Sequence, residues 1–198
     1  MKSLRSLTGD VNSELIIYVE DEFAKKWVEA ILRADDEIIA GTIEVYVMGG
    51  DGTAVKANKY HNMDPSSKIK SICIVDGDSR QKDNIEEKVF RLPGESPELY
   101  VFDQIIDKLD ECSAILAVRC MKNYSDADRV KNVVENVSNT NRDCHLIFGQ
   151  IGESIGFVDE NIIKNAFLTT WCEKYPEEVE DILENVREFM PRKDRIQN

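Results

Sequence analysis

Two aspartates separated by one glycine follow an apolar run near the middle of the chain. The run covers residues 72–75, and Asp76, Gly77 and Asp78 come directly after it. Two neighbouring carboxylates repel each other and raise each other's pKa unless a cation is present. Carboxylate oxygens are the ligands that Mg²⁺ and Mn²⁺ prefer. The pattern predicts a divalent-metal site at the end of a strand, although a lone Asp-Gly-Asp is also typical of a turn that ends a strand.

A second group of acids follows an earlier apolar run. Glu20 comes directly after residues 14–19, and Asp21 and Glu22 come next. Acids here also stabilise the start of a helix through its dipole, by about 0.3–1 kcal/mol each. In parallel α/β sheets, however, ligands bind beyond the carboxyl ends of the strands. We therefore expect Glu20 to lie near the two aspartates.

The order of the predicted elements supports such a sheet. Strands are predicted at residues 14–19, 42–48, 69–75 and 88–92, with helices at 20–33 and 54–60 between them. Further helices are predicted from Ser96-Pro97, after a capping box at 125–128, near 159–174 and near 176–190. This order predicts a Rossmann-like α/β fold, a mostly parallel sheet flanked by helices, with a helical C-terminal part. We expect an α/β core over residues 1–110 and a helical extension packed on it over residues 111–198.

Composition limits the chemistry and the compartment. The five cysteines form no Cys-x-x-Cys pair and their number is odd, which indicates reduced core thiols in the cytoplasm. The chain has only two histidines, so a metal site built from histidines is not expected. No apolar run reaches 18 residues, and the first residues lack the apolar stretch of a secretory signal, so neither a membrane span nor export is expected.

Basic residues are concentrated around the Asp-Gly-Asp stretch. The net charge is −13, which argues against simple attraction to nucleic acid. Residues 56–91 nevertheless contain eight basic and six acidic residues, so this segment is +2 and the remainder −15. We expect Arg80, Lys82 and Arg91 to contact phosphates, although a chance fluctuation of an ordinary solvated surface would give the same count.

The stretches IIYVEDEFA and ICIVDGDS resemble the two motifs of the Toprim domain, which topoisomerases, bacterial primases, small maturation nucleases and OLD-family (overcoming lysogenization defect) nucleases share. The segment VFRLPGESPELYVFD, where Leu-Pro-Gly and a Pro-Glu helix start follow a strand, is most similar to the OLD-like group. The resemblance covers about residues 14–110. The helical remainder is only loosely similar to the C-terminal regions of OLD proteins.

The resemblance implies a metal-dependent endonuclease that hydrolyses phosphodiester bonds with Mg²⁺ or Mn²⁺, with DNA favoured over RNA. Glu20, Asp76 and Asp78 would then be the catalytic metal ligands. Many Toprim nucleases have Glu-Gly-x-x-Asp or Glu-Gly-x-x-Glu at the first motif, a pattern that this chain lacks. The ligands of a second metal therefore stay open among Glu22, Asp21 and Glu98, and Glu98 after Ser96-Pro97 is explained equally well by helix-dipole stabilisation.

The resemblance also implies partners. OLD proteins carry an ATPase module, but no GxxxxGK[ST] motif occurs here. We expect the chain to act with an ATPase module or partner protein, or as a homodimer, and away from membranes. The apolar residues of the last two helices could form the docking face or close the domain's own core: Trp171, Ile182, Leu183, Val186 and Phe189.

Two alternatives come from other classes of protein. The stretch YVEDE is similar to the start of a response-regulator receiver domain, with Asp76 as the phosphoacceptor. A receiver also needs a later strand that ends in Lys-Pro, and none is evident after Leu92. The other alternative is a Toprim fold that serves only as a non-catalytic interaction module.

Overall fold

The computed structural model describes residues 13–35 and 40–191. The first twelve residues, where no secretory signal is expected, lie outside these ranges. The described residues form four strands and eight α-helices. In chain order these are β1 (Leu15–Val19), α1 (Glu22–Asp35), β2 (Ile43–Val47), α2 (Asp51–Met63), β3 (Lys70–Val75), β4 (Val89–Arg91), α3 (Pro97–Asp107), α4 (Leu109–Arg119), α5 (Ala127–Thr140), α6 (Ile147–Ser154), α7 (Glu160–Lys174) and α8 (Pro176–Phe189).

The four strands form one parallel sheet in the order β2-β1-β3-β4. Val19, the last residue of β1, is paired with Val47 on one side and with Ile74 on the other. The carboxyl ends of three strands therefore lie side by side at one edge of the sheet. This architecture confirms the predicted α/β fold with a parallel sheet, flanking helices and a helical C-terminal part.

The strands differ in pattern because they differ in burial. Alternate residues of β1 are fully buried, whereas every residue of β3 after Lys70 is buried. A strand covered on both faces has no solvent side and becomes uniformly apolar. Helix α2 covers one face of β3, where Ala54, Cys73 and Val75 belong to a small separate cluster of buried residues.

The helical half packs on α1. Trp27 of α1 meets Trp171 of α7 edge to face, with ring centroids 5.0 Å apart, and Phe23 stacks on Phe148 at 5.6 Å. One cluster of buried residues includes side chains from the sheet, α1 and the C-terminal helices. The predicted domain boundary falls at the start of α4, and it stays a prediction.

The apolar residues of the last helices close this core. Trp171 is fully buried, and Leu183 and Val186 are 3% and 2% exposed. Ile182 and Phe189 are also buried. The hypothesis that these side chains form a docking face for a partner is therefore wrong, because they already contact the protein's own interior.

One local prediction for the helical half is wrong and another is confirmed. The predicted capping box at 125–128 does not form, because residues 124–126 make a 3-10 turn in which the Asp126 carboxylate accepts a hydrogen bond from the Asn123 N–H at 2.9 Å. The helix start predicted at Ser96-Pro97 is confirmed, because Ser96 is the N-cap residue of α3 and Pro97 is its first residue. The Ser96 hydroxyl donates to Cys144 Sγ at 3.6 Å and not to the end of the helix.

No helix in the two described ranges is both long enough and apolar enough to cross a membrane. All five cysteines are free thiols, and four of them are buried.

Candidate metal centre

Three acidic residues occupy the edge where the strands end. Glu20 follows β1, Asp51 begins α2 just beyond β2, and Asp76 follows β3. The backbone N–H of Asp76 donates to Glu20 Oε1 at 3.1 Å, which joins the ends of β1 and β3 directly. The hydroxyl of Ser79 donates to Asp51 Oδ2 at 2.7 Å. The predicted convergence of Glu20 and Asp76 is thus present in the structure.

Asp51 is a member of this group that the sequence analysis missed. It follows Gly49 and Gly50, whose φ angles of 76° and 149° lie in the region that glycine adopts readily. These glycines turn the chain from β2 into α2, and the Gly49 N–H donates to the Glu20 carbonyl at 2.8 Å. A Gly-Gly-Asp directly after a predicted strand was the available signal, since it places an acid at the same edge.

Gly77 lies in a turn where two backbone segments come close together. Residues 77–78 form a turn in which the Ser79 N–H donates to the Asp76 carbonyl at 3.1 Å, and the φ of Gly77 is not positive. A Cβ added to Gly77 would lie 1.6 Å from the Gly94 carbonyl oxygen and 2.8 Å from that of Leu92. The loop after β3 therefore passes directly against the loop after β4. Glycine is required here by close backbone approach.

Asp76 lies in an environment that opposes its charge. Burial and, to a smaller extent, the negative charges of nearby carboxylates together raise the pKa of its carboxyl to about 8; these carboxylates are Glu20, Asp21, Asp78 and Glu98. Its Oδ1 atom is buried and has no hydrogen-bond partner among the described residues. A buried carboxyl oxygen without a partner is costly, and a cation would satisfy it.

Glu20 is affected in the same direction. Burial raises the pKa of its carboxyl, the hydrogen bond from the Asp76 N–H lowers it, and nearby Asp51, Asp78 and Asp21 raise it. All of the donors at this edge are oxygens, which is the donor set of Mg²⁺ and Mn²⁺. The unpartnered oxygen and the oxygen-only chemistry together fit a hard divalent cation. Glu20, Asp51, Asp76 and Asp78 are the residues that could hold it.

The three further acids considered as ligands differ in position. Asp21 Oδ1 accepts a hydrogen bond from the Ala24 N–H at 2.8 Å, so it caps α1. Glu22 is exposed in the first turn of that helix. Glu98 is only 7% exposed and lies close enough to raise the pKa of Asp76. Asp21 raises the pKa of both Asp76 and Glu20, so Asp21 and Glu98 both lie beside the site.

A different cluster has ligand atoms in closer contact. Within residues 13–35 and 40–191, Asp143, Cys144 and His145 form the one group of three whose potential metal-ligand atoms all lie within 4.8 Å of one another. Each already has a partner: Asp143 accepts from the His145 N–H, Cys144 from Ser96, and His145 Nδ1 lies 3.3 Å from Glu98 Oε1. We assign no ion to this group.

Glu20, Asp76 and Asp78 do not form a group this tight with their side chains as they stand. Asp78 is exposed, whereas Asp76 and Glu20 are half-buried. The site thus combines two shielded carboxylates with one that faces solvent, where a substrate could approach.

The predicted phosphate-binding residues are placed unequally. Arg80 and Lys82 are exposed just beyond the Asp-Gly-Asp loop, and neither forms an ion pair with another described residue. Arg91 is engaged with Asp83, whose carboxylate accepts from both the Arg91 N–H and Nε, each at 2.9 Å. Arg80 and Lys82 are therefore the more available of the three.

Comparison with protein-family models, with curated proteins and with solved structures gave no match. The chain is therefore characterised by its own sequence and geometry, and the Toprim resemblance rests on the two motifs quoted above.

The buried Asp76 carboxyl should make the stability of the metal-free protein depend on pH. Between its ordinary pKa near 4 and its folded-state value of about 8, the folded protein holds a proton that the unfolded chain releases. The free energy of unfolding should therefore fall as pH rises through this window. Asp76→Asn should remove this penalty and stabilise the protein by about 2 kcal/mol at pH 9, allowing for partial exposure, with little effect near pH 4.

Urea denaturation in EDTA at pH 4.5, 7 and 9 measures the effect. Asp181→Asn is the matched control, since Asp181 is exposed on α8. Equal pH dependence in wild type and Asp76→Asn would show that Asp76 is not held in an unfavourable environment.

Proposed function

We propose that this chain is a divalent-metal-dependent nuclease that hydrolyses phosphodiester bonds, with DNA as the favoured substrate. The observation that carries the proposal is the unpartnered, buried Oδ1 of Asp76 at a strand edge that also holds Glu20 and Asp51. A buried carboxyl without a partner destabilises the folded protein, and a role as the ligand of a cation would explain why it is there. The resemblance of both motifs to Toprim nucleases points to the same chemistry.

The site residues would have separate roles in hydrolysis, as metal ligands, as groups that position those ligands and as phosphate-binding side chains. Glu20, Asp76 and Asp78 would hold Mg²⁺ or Mn²⁺, which when bound polarises a phosphoryl oxygen and lowers the pKa of a coordinated water. The Asp76 N–H fixes the Glu20 carboxylate, and Ser79 fixes Asp51. Arg80 and Lys82 would pair with the phosphates that flank the scissile bond.

The receiver alternative lacks one of its parts. The strand order β2-β1-β3-β4 is compatible with a receiver, whose order is 2-1-3-4-5. In residues 40–191, however, only helices follow β4. The strand that would supply the lysine is thus missing from this part of the chain. A non-catalytic interaction module would also give no reason for keeping a carboxyl buried without a partner.

The charge of the chain supports a partner. The net charge of −13 repels a polyanion, and affinity for nucleic acid depends mainly on neutralised phosphates. A bound cation offsets this charge only locally. We propose that an ATPase module, another protein or a second copy of the chain provides the remaining contacts.

Incubation of the purified chain with supercoiled plasmid, single-stranded DNA and RNA tests the function. Nicking or strand cleavage is expected with Mg²⁺ or Mn²⁺ and none with EDTA. Calorimetric titration of Mn²⁺ in the same buffer shows whether the ion binds. Absence of both ion binding and cleavage would refute the proposal.

A further inference from the structure

A groove of about 570 Å³ opens beside the candidate metal centre. One face of α2 forms its first wall, and the loop between β3 and β4 forms its second. The residues that line it are Gly52, Val55, Lys56, Lys59, Asn62 and Met63 from α2, and Gln81, Glu86, Glu87 and Lys88 from the loop. This volume is in the range of clefts that bind small ligands or short chain segments.

Buried hydrogen bonds fix the second wall to the first. The Asn58 side chain is fully buried, and its Nδ2 donates to the carbonyls of Glu87 and Lys88 at 2.9 and 3.2 Å. Lys88 has a φ of 55°, an unfavourable value for a residue with a side chain, and its Nζ donates to Asn62 Oδ1 at 2.6 Å. A polar residue buried in this way holds the two walls at a set separation. The groove is therefore preformed.

The groove combines positive charge with apolar surface. Its three lysines outnumber its two glutamates in a chain whose net charge is −13. Val55, Met63 and the aliphatic stems of the lysines supply apolar surface. The positive charge can pair with phosphates, and the apolar surface can contact bases and sugars. Proteins that bind single strands combine a positively charged groove with aromatic side chains on which bases stack, whereas aliphatic side chains supply the apolar surface of this groove.

The groove is continuous with the carboxylates. Gly52 lines the groove and is the chain neighbour of Asp51. On the opposite wall, the Gln81 N–H donates to Ser79 Oγ at 3.1 Å, and Ser79 donates to Asp51. One end of the groove therefore lies at the candidate metal centre.

We propose that this groove binds an unpaired strand of nucleic acid and leads it to the carboxylates. The inference rests on the proposed function and narrows its substrate to single-stranded nucleic acid or to duplex ends that have opened. A paired duplex keeps its bases inside and cannot place them on the apolar surface of the groove. An unpaired strand can place its bases on the apolar surface and its phosphates against Lys56 and Lys59.

Fluorescence anisotropy with labelled oligothymidine and a hairpin duplex of equal length tests this inference. The measurements are made in EDTA, so that no cleavage is needed. Wild type should bind the single strand about tenfold more tightly than the hairpin. Lys56→Glu/Lys59→Glu should weaken single-strand binding at least about tenfold and reduce the slope of log affinity against log salt by roughly 1.4.

A control variant carries the same change of charge elsewhere. Lys122→Glu/Arg129→Glu alters two basic residues outside the groove, in the helical half. It should weaken binding by no more than about twofold, which measures general repulsion. Glu86→Gln/Glu87→Gln should tighten binding by about threefold, a gain that cannot arise from unfolding.

The inference would be overturned if Lys56→Glu/Lys59→Glu and Lys122→Glu/Arg129→Glu lost the same single-strand affinity. Tighter binding of the hairpin than of the single strand would also overturn it. Metal-dependent cleavage that is unaffected by Lys56→Glu/Lys59→Glu would overturn it while leaving the nuclease proposal intact. If single-strand binding depended on the groove lysines and no cleavage occurred, the result would support the groove as the binding site and contradict the proposed nuclease activity.

Discussion

Asp76→Asn should reduce phosphodiester cleavage by about a thousandfold or more, which corresponds to about 4 kcal/mol of lost transition-state stabilisation. The asparagine keeps the size of the side chain but removes the charge that would hold the cation, so ion affinity should fall with the rate. Single-turnover cleavage and Mn²⁺ calorimetry measure the two effects. Asp78→Asn should behave similarly in cleavage.

The design separates loss of function from loss of structure. Asp76→Asn is expected to be more stable than wild type without metal at neutral and alkaline pH, so inactivity cannot be attributed to unfolding. Asp181→Asn should cleave at the wild-type rate. Full activity of the Asp76→Asn/Asp78→Asn double variant would exclude these carboxylates from the reaction.

Gly77→Ala should destabilise the protein by about 3–5 kcal/mol, in the range of the larger effects of single substitutions. The new Cβ would lie 1.6 Å from the Gly94 carbonyl oxygen, so one of the two backbone loops must move. Because backbone atoms block the space, no side-chain rotation can relieve the contact. Urea denaturation with metal absent measures the loss.

Gly52→Ala provides the contrasting case. Gly52 lies within α2, and no atom within 4 Å would meet its added Cβ. Alanine should therefore stabilise the helix by up to about 1 kcal/mol. If Gly77→Ala were as stable as Gly52→Ala, the loops after β3 and β4 would not be in contact.

The sheet was predictable because its signals are local. Short apolar runs bounded by polar residues identify strands, and the helices between them require parallel pairing. The positions of Glu20 and Asp76 followed, since both come directly after a strand. Asp51 was missed because Gly49 and Gly50 separate it from the predicted strand, so that it does not follow the strand directly as Glu20 and Asp76 do.

The helical half was less predictable because the sequence pattern does not show clearly where one helix ends and the next begins. One helix was predicted from Ser96-Pro97, whereas the structure has two, α3 and α4, which are separated at Lys108. Helix α6 is only eight residues long and was not predicted. The apolar faces of α7 and α8 do not show whether they cover the same chain or a partner, because burial in either gives the same pattern.

The perpendicular pair of indole rings has an optical consequence. Trp27 and Trp171 are the chain's two tryptophans, both fully buried, and they come from α1 and α7. Intrinsic fluorescence therefore reports the junction between these two helices. If ions bind during a cation titration and the emission spectrum does not change, the helical half remains packed on α1. A red shift of the emission would show that water has reached the junction.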